Sequence, residues 1–506
     1  MLRLLLVLLF SLYSIIGFAN SSAEFIRRQI EQSHFKSLSA FNEQLHCVKS
    51  IQNFYLNRNF EPAWEDPNAV LQLKQALEKA DLEGLNPNDY HLQSILENSK
   101  IVLASPQTQG ELDLLLTDAY LLYVSHLLTG KVNPQSIDAE WFVSPLEGNP
   151  AMFLEKALSQ TSVEQSIKEA MPKHEVYLGL RKALQKYRGL ETGTWEIIPE
   201  GAVIKPQMED SRLTTIANKL FLLGDLADKP TEISRYEGAI VDAVKAFQAR
   251  HGLENEGNIG NQTIAALNVS PAERVDQIRV NLERWRWLAQ EFGDYYIKVN
   301  IANFELEVVK SGEVVQKLKV IAGKPYRRTP VFSATMQYLV FNPTWTIPPG
   351  ILNNDIIPGV KKDPNYLAKK KISVLDREGN ALDASSVDWQ SKEVRAYTYT
   401  QPPGPDNSLG AVKFMFPNSF HVYLHDTPSK ELFQKTERAL SSGCIRVQQP
   451  LSLAELVLND PSWNKERIDK LIQSRVTTTV AIKEKPRVHL LYWTSWVDKD
   501  NKVHFR

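Results

Sequence analysis

The spacing of apolar residues changes period near residue 295, and that change limits the folds open to this chain. Before it, apolar side chains recur at helical spacing. Leu71, Leu73, Ala76, Leu77 and Ala80 form one such stretch, and Leu112 to Leu128 another. Turn signals at Asn86-Pro87-Asn88 and Gly130-Lys131-Val132-Asn133-Pro134 divide this part into short helices. From Tyr295 the period is two. Tyr296-Ile297-Lys298-Val299-Asn300-Ile301 alternates, and Phe304 to Val309 and Val314 to Ile321 flank the hairpin signal Lys310-Ser311-Gly312-Glu313. Met336 to Phe341 reads as a further strand, ending at Asn342-Pro343. Twelve of the 27 prolines lie between Pro325 and Pro428, which disfavours long helices there and favours short strands with ordered loops. The chain therefore reads as multidomain α+β.

A length of 506 residues gives a prior of about three domains. The expected divisions are a helical scaffold over 24–210, a small helical unit over 211–270, a connecting helix over 271–294, a mainly β domain over 295–480 and a C-terminal extension over 481–506. Residues 350–412 interrupt the strand pattern and read as an insertion, a candidate lid. Ala272 to Phe292 is rich in Arg and Trp, a stripe better suited to packing one helix between two domains than to nucleic acid. With 58 Lys+Arg against 59 Asp+Glu the net charge is −1, so no basic excess points to nucleic acid.

The first residues read as an address. Met1-Leu2-Arg3 is followed by an uncharged run from Leu4 to Phe18, and Gly17-Phe18-Ala19 supplies small residues for cleavage after Ala19. The run is shorter than the ~20 residues a spanning helix needs, so residues 1–19 are expected to be a signal peptide and not an anchor. Leu112 to Leu128 contains Asp113, Asp118 and His126 and reads as a buried helix. The mature chain is expected to be exported, with no membrane span. The two cysteines, Cys47 and Cys444, cannot form a disulfide framework.

One constellation carries chemistry. Phe420 to Thr427 reads as a strand with His421, Tyr423 and His425 on one face. On a strand His421 and His425 lie about 13 Å apart, too far to share an ion, and no other histidine pair has metal spacing, so no metal is expected. Cys444 follows in Ser441-Ser442-Gly443-Cys444-Ile445-Arg446-Val447. The glycine allows a sharp turn and a close substrate approach. A free thiol ionises near pH 8.5, so an imidazole and a cation such as Arg446 would raise its thiolate fraction. Neighbouring backbone amides could hold an oxyanion, at about 3 kcal/mol per donor.

These residues resemble the signature of the L,D-transpeptidase (YkuD-domain) family: His425-Asp426-Thr427, then Ser441 to Val447. The order supports it, since papain-like peptidases place Cys before His. Val320-Ile321-Ala322-Gly323, Arg328-Thr329-Pro330 and Asn342-Pro343-Thr344-Trp345-Thr346-Ile347-Pro348-Pro349 match as well. Ala243 to Gln248, His251-Gly252-Leu253, Gly257 to Gly260 and Thr263 to Leu267 resemble the three-helix peptidoglycan-binding module. The whole is similar to the large Gram-negative members, which join a scaffold, a peptidoglycan-binding unit and a catalytic β-domain with an inserted capping subdomain. Many family members have His before the Gly-Cys; here Ser442 stands there, as in the large Gram-negative type.

The resemblance implies Cys444 as nucleophile and His425 as general base and then acid. It implies Gly443 and Cys444 backbone amides in the oxyanion hole, and Tyr423, Asn342, Trp345, Ser442 and Arg446 as candidates for shaping the substrate site. It implies a periplasmic enzyme that needs no cofactor and is sensitive to carbapenems. Its partners would be the donor and acceptor stem peptides of peptidoglycan and other cell-wall synthesis proteins. An L,D-carboxypeptidase with the same thiol differs only in its acceptor. A non-catalytic peptidoglycan-binding scaffold is a further class. A serine penicillin-binding enzyme is disfavoured: Ser33-His34-Phe35-Lys36 and Ser462-Trp463-Asn464-Lys465 match Ser-x-x-Lys by chance, and Lys310-Ser311-Gly312, which could mimic the partner triad, fits a hairpin turn.

Overall fold

The computed structural model describes residues 22–33, 37–99, 105–137, 141–142, 148–160, 162–288 and 292–506. The expected signal peptide lies outside the described residues. No helix among them is long and apolar enough to cross a membrane.

The N-terminal part is helical and packs around α1 (Pro106–Thr129), which opens with Ser105 as its cap. This helix is buried on nearly every face, so the carboxylates inside its apolar run are bound internally. Asp113 accepts the Ala63 and Trp64 N–H groups and the Tyr55 hydroxyl. Asp118 accepts the His46 and Cys47 N–H groups and the His91 ring. Two charges that look like interruptions in the sequence thus fasten the preceding segment to the core helix.

Helix α2 (Glu175–Glu191) leads to the small unit formed by α3 (Leu213–Leu223), α4 (Ala239–Arg250) and α5 (Asn261–Asn268), with Ile216, Leu220, Val244, Phe247 and Ile264 in its core. Gly252 takes φ +68 just after α4. Helix α6 (Pro271–Arg286) starts with a Ser270–Glu273 capping box and packs on α2. Most of its Arg–Trp stripe is interior, with Arg279 left exposed. Arg286 is buried and donates to Glu83 O (2.8 Å), Tyr177 Oη (3.1 Å) and Glu283 Oε2 (2.8 Å). Trp285 stacks on Trp493 of the β-domain at 4.3 Å. A buried guanidinium is tolerated because a carboxylate and further acceptors surround it.

The β-domain is one curled sheet of eleven strands. Its first three strands, β1 (Tyr295–Asn300), β2 (Glu305–Lys310) and β3 (Glu313–Gly323), form an antiparallel meander. The β2–β3 turn has Ser311 at φ 50 and Gly312 at φ 82, the left-handed pair that a tight hairpin requires. Strands β4 (Phe332–Thr335) and β5 (Tyr338–Phe341) follow.

The chain then leaves the sheet through β6 (Trp345–Thr346), builds β7 (Ser373–Leu375) and β8 (Ala381–Leu382), and returns through β9 (Thr398–Gln401). Strands β6 and β9 pair antiparallel, a two-strand stalk below a subdomain with its own core of Ile347, Leu352, Ile356, Val374 and Tyr399. The expected insertion, 350–412, is thus shifted: it starts at the stalk, and Val412 already belongs to the next strand of the main sheet.

That strand is β10 (Val412–Met415), followed by β11 (Leu424–His425), β12 (Ala439–Ser441), β13 (Ile445–Val447), β14 (Thr478–Ala481) and β15 (Arg487–Leu491). The order across the sheet is β14-β5-β10-β11-β13-β3-β2-β1-β15-β4, with β12 alongside β3. Two expectations need correction. The strand expected over Phe420 to Thr427 shrinks to Leu424–His425. Asn418 Oδ1 accepts the Phe420 and Val422 N–H groups, and His421 sits at φ 54, so the segment turns before it pairs. Residues after 480 are not an extension: β15 pairs parallel with β1 and antiparallel with β4, inside the sheet.

Candidate active site

Strands β11 and β13 run parallel, Leu424 opposite Ile445 and His425 opposite Arg446. Leu424, Ile445 and Val447 enter the core. Alternation turns Tyr423, His425, Cys444 and Arg446 to the other face. On β10, Lys413 stands opposite His425.

The turn carrying Cys444 is pinned from several sides. Ser441 Oγ donates to Cys444 O (2.6 Å) and accepts the Gly443 N–H (3.1 Å). Thr329 Oγ1 donates to Gly443 O (2.7 Å) and accepts the Gly323 N–H (3.0 Å). Gly443 adopts φ 118, backbone that L side chains rarely take. The Gly443 amide, expected in the oxyanion hole, is therefore committed to Ser441 Oγ. The Cys444 amide has no acceptor among the described residues.

The thiol of Cys444 donates to His421 O at 3.8 Å. Burial pushes it above the ordinary thiol range, while hydrogen bonds from Tyr423 and the charge of Arg446 pull the other way. His425 is buried, and its Nδ1–H donates to Asp426 O at 2.5 Å, which leaves Nε2 as the basic nitrogen. Burial, helped by the charges of Arg446 and Lys430, depresses the ring to about 3, so it is neutral at physiological pH. The Tyr423 and His425 rings meet edge-on at 5.7 Å. Among the described residues no hydrogen bond joins the imidazole to the sulfur. Asp426 braces the histidine: its carboxylate accepts the Ala411 N–H (2.8 Å), the Thr427 N–H (2.7 Å) and Lys430 Nζ.

The weaker candidates divide. Arg446 lies beside Cys444, and its buried Nε has no hydrogen-bond partner among the described residues. Ser442 is exposed and accepts Arg327 Nη1 (2.9 Å); the same guanidinium pairs with Asp355 of the inserted subdomain (2.6 Å). Trp345 is part of the stalk and packs against the insert's core. Asn342 is not brought to the thiol. It is buried at φ 47 and its Nδ2 donates to Leu471 O (2.7 Å) and Val476 O (3.2 Å), tying β5 to the segment before β14. Thr329, Arg327, Asp355 and Lys413 join the site without any individual signal in the sequence. Thr329 and Arg327 reach the turn from 114 and 115 residues away, a distance no local pattern reports.

The second cysteine has a different setting. Its N–H donates to Asp118, and burial together with that carboxylate pushes the Cys47 thiol up to about 12, so it stays neutral. Both cysteines are free. Among the described residues no group of three or more His, Cys, Asp or Glu is set to hold a metal ion.

The curled sheet thus carries a pinned Gly-Cys turn beside a neutral histidine. Residues 294–482 match the family model described as the L,D-transpeptidase catalytic domain. Residues 49–184 match that of the Scaffold domain, and 210–267 that of the "Putative peptidoglycan binding domain". A protein of Haemophilus influenzae, named "Putative L,D-transpeptidase", is 35% identical over 256 residues, which are 50% of this chain and 52% of that protein. The chain thus spans about half the length of the curated relative it matches. Solved structures of an L,D-transpeptidase from Stackebrandtia nassauensis (14% identity, 58% of this chain, 96% of that one, TM-score 0.22) and of one from Xylanimonas cellulosilytica (15% identity, 58% and 99%, TM-score 0.18) also overlap. These TM-scores are low, and the fold rests on the strand pairing described above.

Proposed function

We propose that the chain is a periplasmic cysteine L,D-transpeptidase that cross-links peptidoglycan stem peptides. The observation that supports this most is the parallel β11–β13 pairing, because it sets a thiol, a neutral imidazole and a guanidinium on one face of the sheet. In this reading Cys444 loses its proton to His425 Nε2 and attacks the carbonyl that joins the L centre of a diamino acid to a terminal D-Ala. The Cys444 amide donates to the oxyanion. The C–N bond breaks, the imidazolium returns its proton to the departing D-Ala amine, and an acyl-thioester remains. The side-chain amine of a second stem then attacks, His425 accepts its proton, and the thiolate leaves. A direct diamino-acid cross-link results.

Water would release a trimmed stem instead, so the thioester needs shielding. The inserted subdomain suits that role because the Arg327–Asp355 pair ties it to Ser442, two residues before the nucleophile. Arg446 and Lys413, both opposite His425 on neighbouring strands, put positive charge beside the site, which suits a donor bearing carboxylates. The test is incubation with a soluble disaccharide-tetrapeptide and mass spectrometry of the products. Cross-linked dimers and free D-Ala, both absent with Cys444→Ala, are expected. Trimmed stems without dimers would make the chain an L,D-carboxypeptidase, and full activity in Cys444→Ala would remove the thiol from the chemistry.

A further inference from the structure

A cleft of about 870 Å³ lies where the small helical unit, helix α6, the C-terminal residues and the catalytic sheet meet. Cys444 does not line it. Its walls include His251 to Glu256 after α4, Arg284 of α6, Ile301 to Phe304, and the segment Gln434 to Ala439. Its size falls within the range of pockets that enclose a ligand, ~300–1,000 Å³.

Six cationic side chains line the cleft, Arg284, Lys319, Arg328, Lys435, Arg438 and Arg506, against the carboxylates Glu254, Glu256 and Glu437. Among the described residues, the hydrogen bonds of Arg284, Lys319, Arg438 and Arg506 go to neutral acceptors. Arg438 donates to Val320 O, Lys435 O and Phe304 O. Arg506 donates to Asn303 Oδ1, Arg250 O and Phe505 O. Arg284 donates to Thr494 Oγ1 and lies between the rings of Trp141 (5.2 Å) and Tyr492 (5.4 Å). Lys319 Nζ reaches only Phe433 O, at 3.5 Å. Burial disfavours the charge on Arg284, Arg438 and Arg506; Glu305 supports the charge on Arg438 and Arg506, Glu437 that on Arg438, and Arg438 adds repulsion at Arg506. Lys and Arg side chains thus outnumber the carboxylates lining the cleft, and an excess of partly desolvated cations favours an anion between them.

The cleft is also tied to the nucleophile turn. Thr329, which donates to Gly443 O, lines it, and so does Ala439, the first residue of the strand that ends at Ser441. We propose that this cleft is a second binding site, separate from the thiol, for a carboxylate-bearing stem peptide of peptidoglycan. The choice of peptidoglycan among anionic peptides rests on the function proposed above; the anion site itself does not. The carboxylates would sit on Lys319, Arg438 and Arg506. A strand held there would keep the enzyme on its polymer while the thiol processes another stem.

The experiment uses the full chain carrying Cys444→Ala, titrated with soluble disaccharide-tetrapeptide and followed by hydrogen exchange. Protection over 251–256 and 434–439 is expected, weakening as salt rises. Lys319→Glu with Lys435→Glu, both exposed positions, should weaken this binding about tenfold or more, as reversal of charges facing an anion does. The same double change in the chain with Cys444 intact should leave carbapenem acylation unchanged. Protection confined to 421–446, or affinity unchanged by the double change, would overturn the second site. If the double variant melts early, the exchange map of Cys444→Ala alone decides. Failure of Cys444 to acylate with the cleft still protected would overturn the transpeptidase reading and not the cleft.

Discussion

Thr329 offers a direct test of how the Gly443–Cys444 turn is held. It is buried, and its hydroxyl bridges the Gly323 N–H and Gly443 O. Thr329→Val keeps the shape and removes the hydroxyl, which leaves a donor and an acceptor without partners. Each orphaned buried group costs about 1–3 kcal/mol, and the Gly323 end is only part-buried, so the loss should total about 2–4 kcal/mol. The damage is local to Gly443, one residue before the sulfur. A displaced reacting atom can cost about 100-fold in rate, so carbapenem acylation should slow by about 10–100-fold. Thr329→Ser keeps the hydroxyl and should restore most of both. The assays are the thermal transition of the full chain and time-resolved intact-mass measurement of the acyl adduct. A Thr329→Val protein with wild-type melting and acylation would refute the claim that this bridge positions the turn.

Other outcomes follow from the same contacts. Because His425 is depressed to about 3 and burial raises the Cys444 thiol, the base is available throughout the neutral range and only the thiol titrates. Acylation should therefore climb with pH into and beyond the ordinary thiol range, with no limb near pH 6.5; a bell centred near neutrality would contradict this. His126, His174 and His489 are also lowered by burial, each to about 4. The unfolded chain then binds more protons between about pH 4 and 6.5, so this contribution is complete above pH 6.5 and declines as pH falls, and melting temperature should drop between pH 7 and 5. Asn342→Ala should cost about 1–3 kcal/mol by orphaning the Leu471 and Val476 carbonyls, while acylation of the folded protein stays near wild type. Arg327→Ala should raise hydrogen exchange over residues 345–401 and increase the hydrolysed share of product; unchanged exchange would separate the insert from the turn.

The class of fold was legible because each half of the chain keeps one hydrophobic period. The β2–β3 hairpin shows it most clearly, since Ser311-Gly312 can supply two left-handed residues between alternating strands. Phe420 to Thr427 shows the limit. Its alternation reads as a strand, yet the Asn418 side chain takes two amides that a neighbouring strand would need. Gly443 and Asn342 mark a different limit. The resemblance implied an oxyanion donor at Gly443 and a substrate contact at Asn342, but Ser441 Oγ and the Leu471 and Val476 carbonyls compete for those groups. The supports of the turn, Thr329 and Arg327, depend on pairings more than a hundred residues apart, which no local pattern encodes.

Strand β15 has a consequence for how this enzyme comes into being. It pairs Arg487–Leu491 with Tyr296–Asn300, joining the end of the chain to the beginning of the catalytic domain. A polypeptide released before residue 487 would lack an interior piece of the sheet and leave the backbone edges of β1 and β4 bare. Such a product should be an aggregation-prone intermediate and not a shortened enzyme. The sheet that carries Cys444 can therefore close only after Arg487–Leu491 has emerged from the ribosome, more than 190 residues after the β1 residues it pairs with.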